Sequence, residues 1–183
     1  MTKHFKKSDW LALGLQELAS KGPEALRVKK LCAEAGKTIG SFYHHFEDQA
    51  AFIDALLRHW QETFTQPVID ALEEIVDARQ RARELSDLAT KLDPSIEVGV
   101  RLLASQNARV QQAVERVDGL RITYVTQMYA KRFGISADEA RLLAQLEYAA
   151  FVGAQHVFRK NYTTVGPKLA AHLQSALEAK YRS

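Results

Sequence analysis

Residues 28–46 read VKKLCAEAGKTIGSFYHHF. The stretch divides at Ala35-Gly36-Lys37 into two short helices joined by a tight turn. Leu31 and Cys32 face inward from the first helix. Gly36 sits where the chain must turn, because a Cβ there would resist the left-handed conformation. Thr38 is placed to cap the second helix, whose amide end then carries partial positive charge and suits a phosphate. Gly40 and Ser41 are small enough to let that helix approach a groove closely. Two helices in this order, the second one exposed, are the layout that puts a recognition helix into the DNA major groove.

The flanking sequence keeps the same register. Ser8 reads as an N-cap, followed by Leu11, Leu15 and Leu18 on one face, and Gly22-Pro23 stops that helix. Asp48 reads as the cap of a fourth helix carrying Phe52, Leu56 and Trp60 on one stripe. Pro67 either kinks that helix or begins another. A polar helix fits 79–91. Asp93-Pro94 opens a further helix, and others fit 95–105 and 108–133, the latter ended by Gly134. Ser136 and Glu139 match a capping box for a helix running to Phe158. The last helix is expected to open at Gly166-Pro167, with Leu169, Leu173 and Leu177 on one side. No hairpin signal, repeat or low-complexity tract occurs. The expected architecture is all-α with about nine helices: a three-helix head over residues 1–47 and a helical bundle over 48–183.

Charge supports the division. Residues 1–46 hold eight lysines and arginines against four acids, a local +4, whereas the whole chain is only +3. The remaining 137 residues therefore sum to −1, and a basic segment on a near-neutral body suits a polyanionic partner. No run of about eighteen apolar residues occurs, so no membrane span is expected. The single cysteine, Cys32, excludes an internal disulfide framework and a cysteine-based zinc site. His44-His45 does not suggest a metal, because adjacent helical residues do not face each other and no third ligand follows at helical spacing. There is no nucleophile–base pair, metal cluster or cofactor motif to support an enzyme. These features point to a cytoplasmic, non-enzymatic protein that needs no cofactor.

The pattern Leu31-Cys32, Ala35-Gly36, Thr38, Gly40-Ser41-Phe42-Tyr43 and Phe46 resembles the helix-turn-helix of the TetR family of repressors, in register over residues 8 to 60. The resemblance implies a homodimer that binds double-stranded operator DNA under the control of a small-molecule effector. It places Thr38, Ile39, Ser41, Tyr43 and His44 on the recognition helix and its flank. Arg27, Lys29 and Lys37 join them as phosphate or groove contacts, with Lys37, Ile39, Ser41 and His44 nearest the bases. Two positions depart from the family: Arg27 replaces a capping threonine, and Gln49 replaces a phosphate-binding lysine. Phe46 reads as packing, whereas Tyr43 can pack its ring and still present its hydroxyl. Lys3, Lys6 and Lys7 read as a solvated tail or as an arm reaching phosphate.

For the body, the resemblance implies an effector pocket. The mixed aromatics and amides Trp60, Phe64, Leu102, Gln106, Tyr124, Gln127, Tyr148 and Phe151 are its candidates, beside the plainer reading of a helical core. The stripes Leu143, Leu146, Ala150, Ala154, Val157 and Leu169, Leu173, Leu177 imply a four-helix dimer interface. The alternative for the whole chain is a helical ligand-binding or adaptor protein with little DNA binding, favoured by Gln49 and the modest net charge.

Overall fold

The computed structural model describes residues 5–181. Every regular element among them is helical, and there are ten α-helices: α1 Lys7–Lys21, α2 Val28–Ala35, α3 Ile39–Tyr43, α4 Gln49–Phe64, α5 Gln66–Glu73, α6 Ala78–Lys91, α7 Pro94–Ala104, α8 Ala108–Phe133, α9 Ala137–Val157 and α10 Tyr162–Lys180. A 3-10 turn, Pro23–Leu26, links α1 to α2. The tenth helix is α5. Pro67 does not kink α4; it lies in the first turn of a separate helix, where its missing N–H costs nothing.

Two helix starts and one capping box differ from the expected ones. α1 begins one residue before Ser8, and Asp9 caps it by accepting from the Lys6 amide at 2.7 Å. The Ser136–Glu139 box is half-formed. Ser136 Oγ accepts from the Glu139 amide at 3.2 Å, but the Glu139 carboxylate accepts from the Tyr181 hydroxyl at 2.5 Å. α10 starts four residues before Gly166, because the Asn161 carbonyl accepts from both Thr164 and Val165 amides and propagates the helix through Pro167.

The chain forms two compact units. One comprises residues 1–63 and 95–115, the other 64–94 and 116–183. In the first, α4, α7 and the opening turns of α8 cluster with the three head helices. Its interior is aromatic: Trp10, Phe42 and Phe52 are fully buried, and Phe46 is nearly so. Phe42 is the hub, with ring centroids 5.4 Å from Trp10, 5.0 Å from Phe46 and 5.2 Å from Phe52. Gly14 lets α1 settle on this cluster, since a Cβ there would stand 2.8 Å from the Phe52 ring.

The second unit is organised around Ala82, Val125, Met128, Tyr129, Ala140, Ala144 and Leu177, contributed by α6, α8, α9 and α10. A polar network runs beside that core. The Tyr129 hydroxyl donates to Glu147 at 2.5 Å, and Gln174 donates to Tyr129 at 2.7 Å and to Glu147 at 2.9 Å. Arg132, whose side chain is 3% exposed, donates to Gln174 at 2.7 Å and pairs with Glu178 at 2.5 Å. Burial and the neighbouring Glu147 push the Tyr129 phenol well above its ordinary range, and burial also raises the Glu147 carboxyl.

Candidate nucleic-acid interface

The geometry of the turn follows from its residues. Gly36 adopts φ 60°, ψ 36°, and its amide and that of Lys37 close the end of α2 on the Ala33 and Cys32 carbonyls. Thr38 then caps α3, its hydroxyl accepting from the Ser41 amide at 3.2 Å. Cys32 is buried beneath the turn, its thiol 3.6 Å from the Thr38 carbonyl, and burial raises its pKa above the ordinary thiol value. It acts there as a small hydrophobe.

α3 buries Phe42, half-buries Ser41 and exposes Ile39, Gly40 and Tyr43. Ile39 is 44% exposed and Tyr43 48%, unusual for large apolar and aromatic side chains on so short a helix. The Tyr43 ring packs edge-on against Phe42 at 5.5 Å, so this residue both packs and presents itself to solvent. Phe46 is core, as its spacing implied. His44 is exposed and Ser41 half-buried. Thr38, Ile39, Ser41, Tyr43 and His44 therefore come together at one exposed helix. The flanking cations are less uniform. Lys29 is exposed, Lys37 is half-buried, and Arg27 pairs with Glu24 at 2.7 Å with both side chains about two-thirds exposed.

Of the N-terminal lysines, Lys3 lies outside the described residues. Lys6 and Lys7 do not form a tail, because they occupy the N-cap and first position of α1. Gln49 reaches back toward the Leu26 carbonyl at 3.5 Å, tying α4 to the 3-10 turn.

Residues 11–56 match the model of the family described as bacterial regulatory proteins, tetR family. The chain thus carries a TetR-type helix-turn-helix segment over residues 11–56. No curated protein matches its sequence, but solved structures match its fold across nearly the full chain. NemR of E. coli in its reduced form is 20% identical with a TM-score of 0.75, covering 92% of this chain and 96% of NemR. The regulator FadR of Bacillus halodurans, described as a fatty acid degradation regulator, is 16% identical with a TM-score of 0.71, covering 94% and 95%. A putative transcriptional regulator from Saccharomonospora viridis, solved in complex with choline, is 19% identical with a TM-score of 0.70, covering 94% and 95%. The exposed α3 lies within the matched segment, as the second helix of its helix-turn-helix.

The body residues fall into place less neatly. Of the pocket candidates, Leu102, Gln106 and Gln127 lie on the surface. Trp60 is buried, and Phe64, Tyr124, Tyr148 and Phe151 are part-buried. Trp60, Leu102 and Gln106 belong to the first unit, the others to the second. Within the second unit Tyr148 donates to Asp118 at 2.6 Å and accepts from Arg121 at 3.1 Å, and Arg121 also donates to the buried Thr65 hydroxyl at 2.8 Å. The Tyr124 hydroxyl is buried with no hydrogen-bond partner. Sequence reasoning passed over Thr65, Asp118 and Arg121, whose polar pattern resembles any solvated helix surface.

The two apolar stripes are rotated from their expected positions. Leu143, Leu173, Ala154 and Leu177 are turned inward; Leu143 and Leu173 pack on the second-unit core and Leu177 belongs to it. On α9 the exposed stripe is Leu142, Leu146, Ala150 and Val157, with Leu142 67%, Leu146 57% and Val157 73% exposed; on α10 Leu169 is 43% exposed. Intrachain packing turns Leu143 inward and leaves its neighbour Leu142 exposed.

Proposed function

We propose that this chain is a TetR-family regulator: a cytoplasmic, non-enzymatic homodimeric repressor, controlled by a small molecule bound in its body. The observation that carries the reading is α3: a capped helix that buries one aromatic and exposes Ile39, Tyr43 and His44 beside a basic turn. In the dimer, two such helices enter successive major grooves of an operator duplex. Thr38, Tyr43, Arg27 and Lys29 hold phosphates, and Ile39, Ser41 and His44 meet base edges.

Leu142, Leu146, Ala150, Val157 and Leu169 form the self-complementary surface of the dimer. The effector site draws on Phe64, Tyr124, Tyr148 and Phe151 of the second unit, a mostly apolar set with few polar groups. The unpartnered Tyr124 hydroxyl is a donor that an effector's acceptor would satisfy. The choline-bound neighbour supports a small-molecule site in this fold. Control requires that the effector bind one head arrangement more tightly than the other.

The test is a binding titration of the purified chain against its own upstream DNA and against a random duplex. A salt-dependent preference for the upstream DNA is expected. Equal, weak binding to both would leave the adaptor reading in its place.

A further inference from the structure

A second group of cations stands beside the recognition helix, and the aromatic core holds it there. Phe5 packs edge-on against Trp10, ring centroids 4.9 Å apart, and the Phe5 carbonyl accepts from His45 Nε2 at 3.0 Å. The chain ahead of α1 is thereby pinned to the end of the α3 segment. Lys37, from the helix-turn-helix turn, places its Nζ 5.7 Å from the Phe5 ring centroid. Lys7, from the first position of α1, places its Nζ 5.5 Å from the Phe46 ring centroid. Phe42 joins the two sites, since its ring touches both Trp10 and Phe46. Two lysines thirty positions apart thus lie over the end rings of one aromatic cluster, Phe5–Trp10–Phe42–Phe46, whose middle members are buried. An aromatic face orients an ammonium group without neutralising it.

The carboxylates of the same region are largely engaged. Asp9 accepts from the Lys6 amide and Asp48 from the Ala51 amide, each at 2.7 Å, so both serve as helix caps. Glu47 and Asp48 are both exposed in the α3–α4 turn, and Glu47 is the one that caps no helix. Gln49, at the start of α4, is uncharged and turned toward Leu26. The cations on this flank are Lys7 and Lys37, with Lys6 exposed beside Lys7.

We infer that Lys7 and Lys37, seated on Phe46 and Phe5, form a phosphate clamp that grips the DNA backbone at the flank of the recognition helix. This assigns Lys37 to the backbone and not to a base edge, and gives the start of α1 a direct part in DNA binding. It rests on the operator-binding reading above. The clamp contributes affinity and register but no sequence preference.

The experiment is a salt titration of the full chain on a fluorescent mixed-sequence duplex, which counts phosphate contacts without knowledge of the operator. Each phosphate contact contributes about 0.9 to the slope of log K against log salt. Lys7→Gln and Lys37→Gln are each expected to reduce the slope by about 0.9, and the double variant by about 1.8. Lys168→Gln, an exposed position on α10, is expected to leave the slope unchanged. Glu47→Gln is expected to tighten binding at low salt. A wild-type slope that both lysine variants leave intact overturns the clamp alone. A Lys37→Gln protein with normal slope but altered preference among duplex sequences returns Lys37 to a base-reading role and overturns its share. A wild-type chain that does not bind the duplex overturns the operator-binding reading and the clamp with it.

Discussion

The interior of the head and the interior of the α8–α10 region solve the same packing problem with different chemistry. The head places aromatic rings at its centre: Phe42 touches Trp10, Phe46 and Phe52, Lys7 lies over the Phe46 ring, and the one buried acid of α1, Glu17, pairs with Lys21. The second unit threads Tyr129, Glu147, Gln174 and Arg132 beside its aliphatic core. An aromatic core draws most of its stability from buried area, with a smaller contribution from edge-on ring geometry. A polar network is directional and intolerant, because removing one member strands the others without partners. The comparison suggests a head built as a rigid block that presents α3, and a body whose helix register is set by hydrogen bonds.

The largest effect expected from this contrast is in the head. Phe42→Ala removes the ring on which the others converge and should cost about 3–5 kcal/mol. Urea unfolding of the purified variant checks it; a loss below about 1 kcal/mol would mean the aromatic cluster is not the head's core. Next comes Arg132→Met, which strands Gln174 and Glu178 while keeping the aliphatic volume. Glu178 is 35% exposed, so the expected cost is about 2 kcal/mol, below that of breaking a fully buried pair. If the methionine variant unfolds at the same urea concentration as the wild type, the network does not hold α8 to α10.

Smaller again is Thr38→Ala, which removes the α3 cap and should cost about 1 kcal/mol. Operator affinity should fall as well, because α3 is short and the cap orders its first turn. Unchanged affinity and stability would show that packing of Phe42 alone fixes the recognition helix. The smallest effect concerns pH. The folded Glu147 carboxyl has its pKa raised by burial, so the folded chain holds this proton more tightly than the unfolded chain. Its contribution is fully present below the ordinary carboxylate range and is lost as pH rises through the higher folded value. Glu147→Gln should flatten that part of the melting temperature against pH, while Phe42→Ala should leave its shape intact. An identical pH profile for wild type and Glu147→Gln would contradict the assignment.

Much of the head could be read in the sequence because its signals are local. Gly36, Thr38 and Asp48 act on amides within a few residues, so the end of α2 and the starts of α3 and α4 fall where those residues imply. The periodicity of Leu11, Leu15 and Leu18 likewise marks a buried face of α1. Where a local signal had a distant competitor it misled. Glu139 left its capping box for Tyr181, forty-two positions away. Pro167, a strong start signal, lies inside α10 because the helix was already propagating from Asn161.

By itself, the sequence determined an all-helical chain and a helix-turn-helix with an exposed second helix, because caps, turns and helical periodicity are interactions between near neighbours. Only the tertiary structure decided which leucines of α9 face inward, that Tyr129, Glu147, Gln174 and Arg132 meet, and that Lys7 and Lys37 lie over the end rings of one aromatic cluster. Those facts depend on contacts between residues far apart in the chain, and a one-residue rotation of a helix face or the choice of a carboxylate's partner is settled by what packs against it.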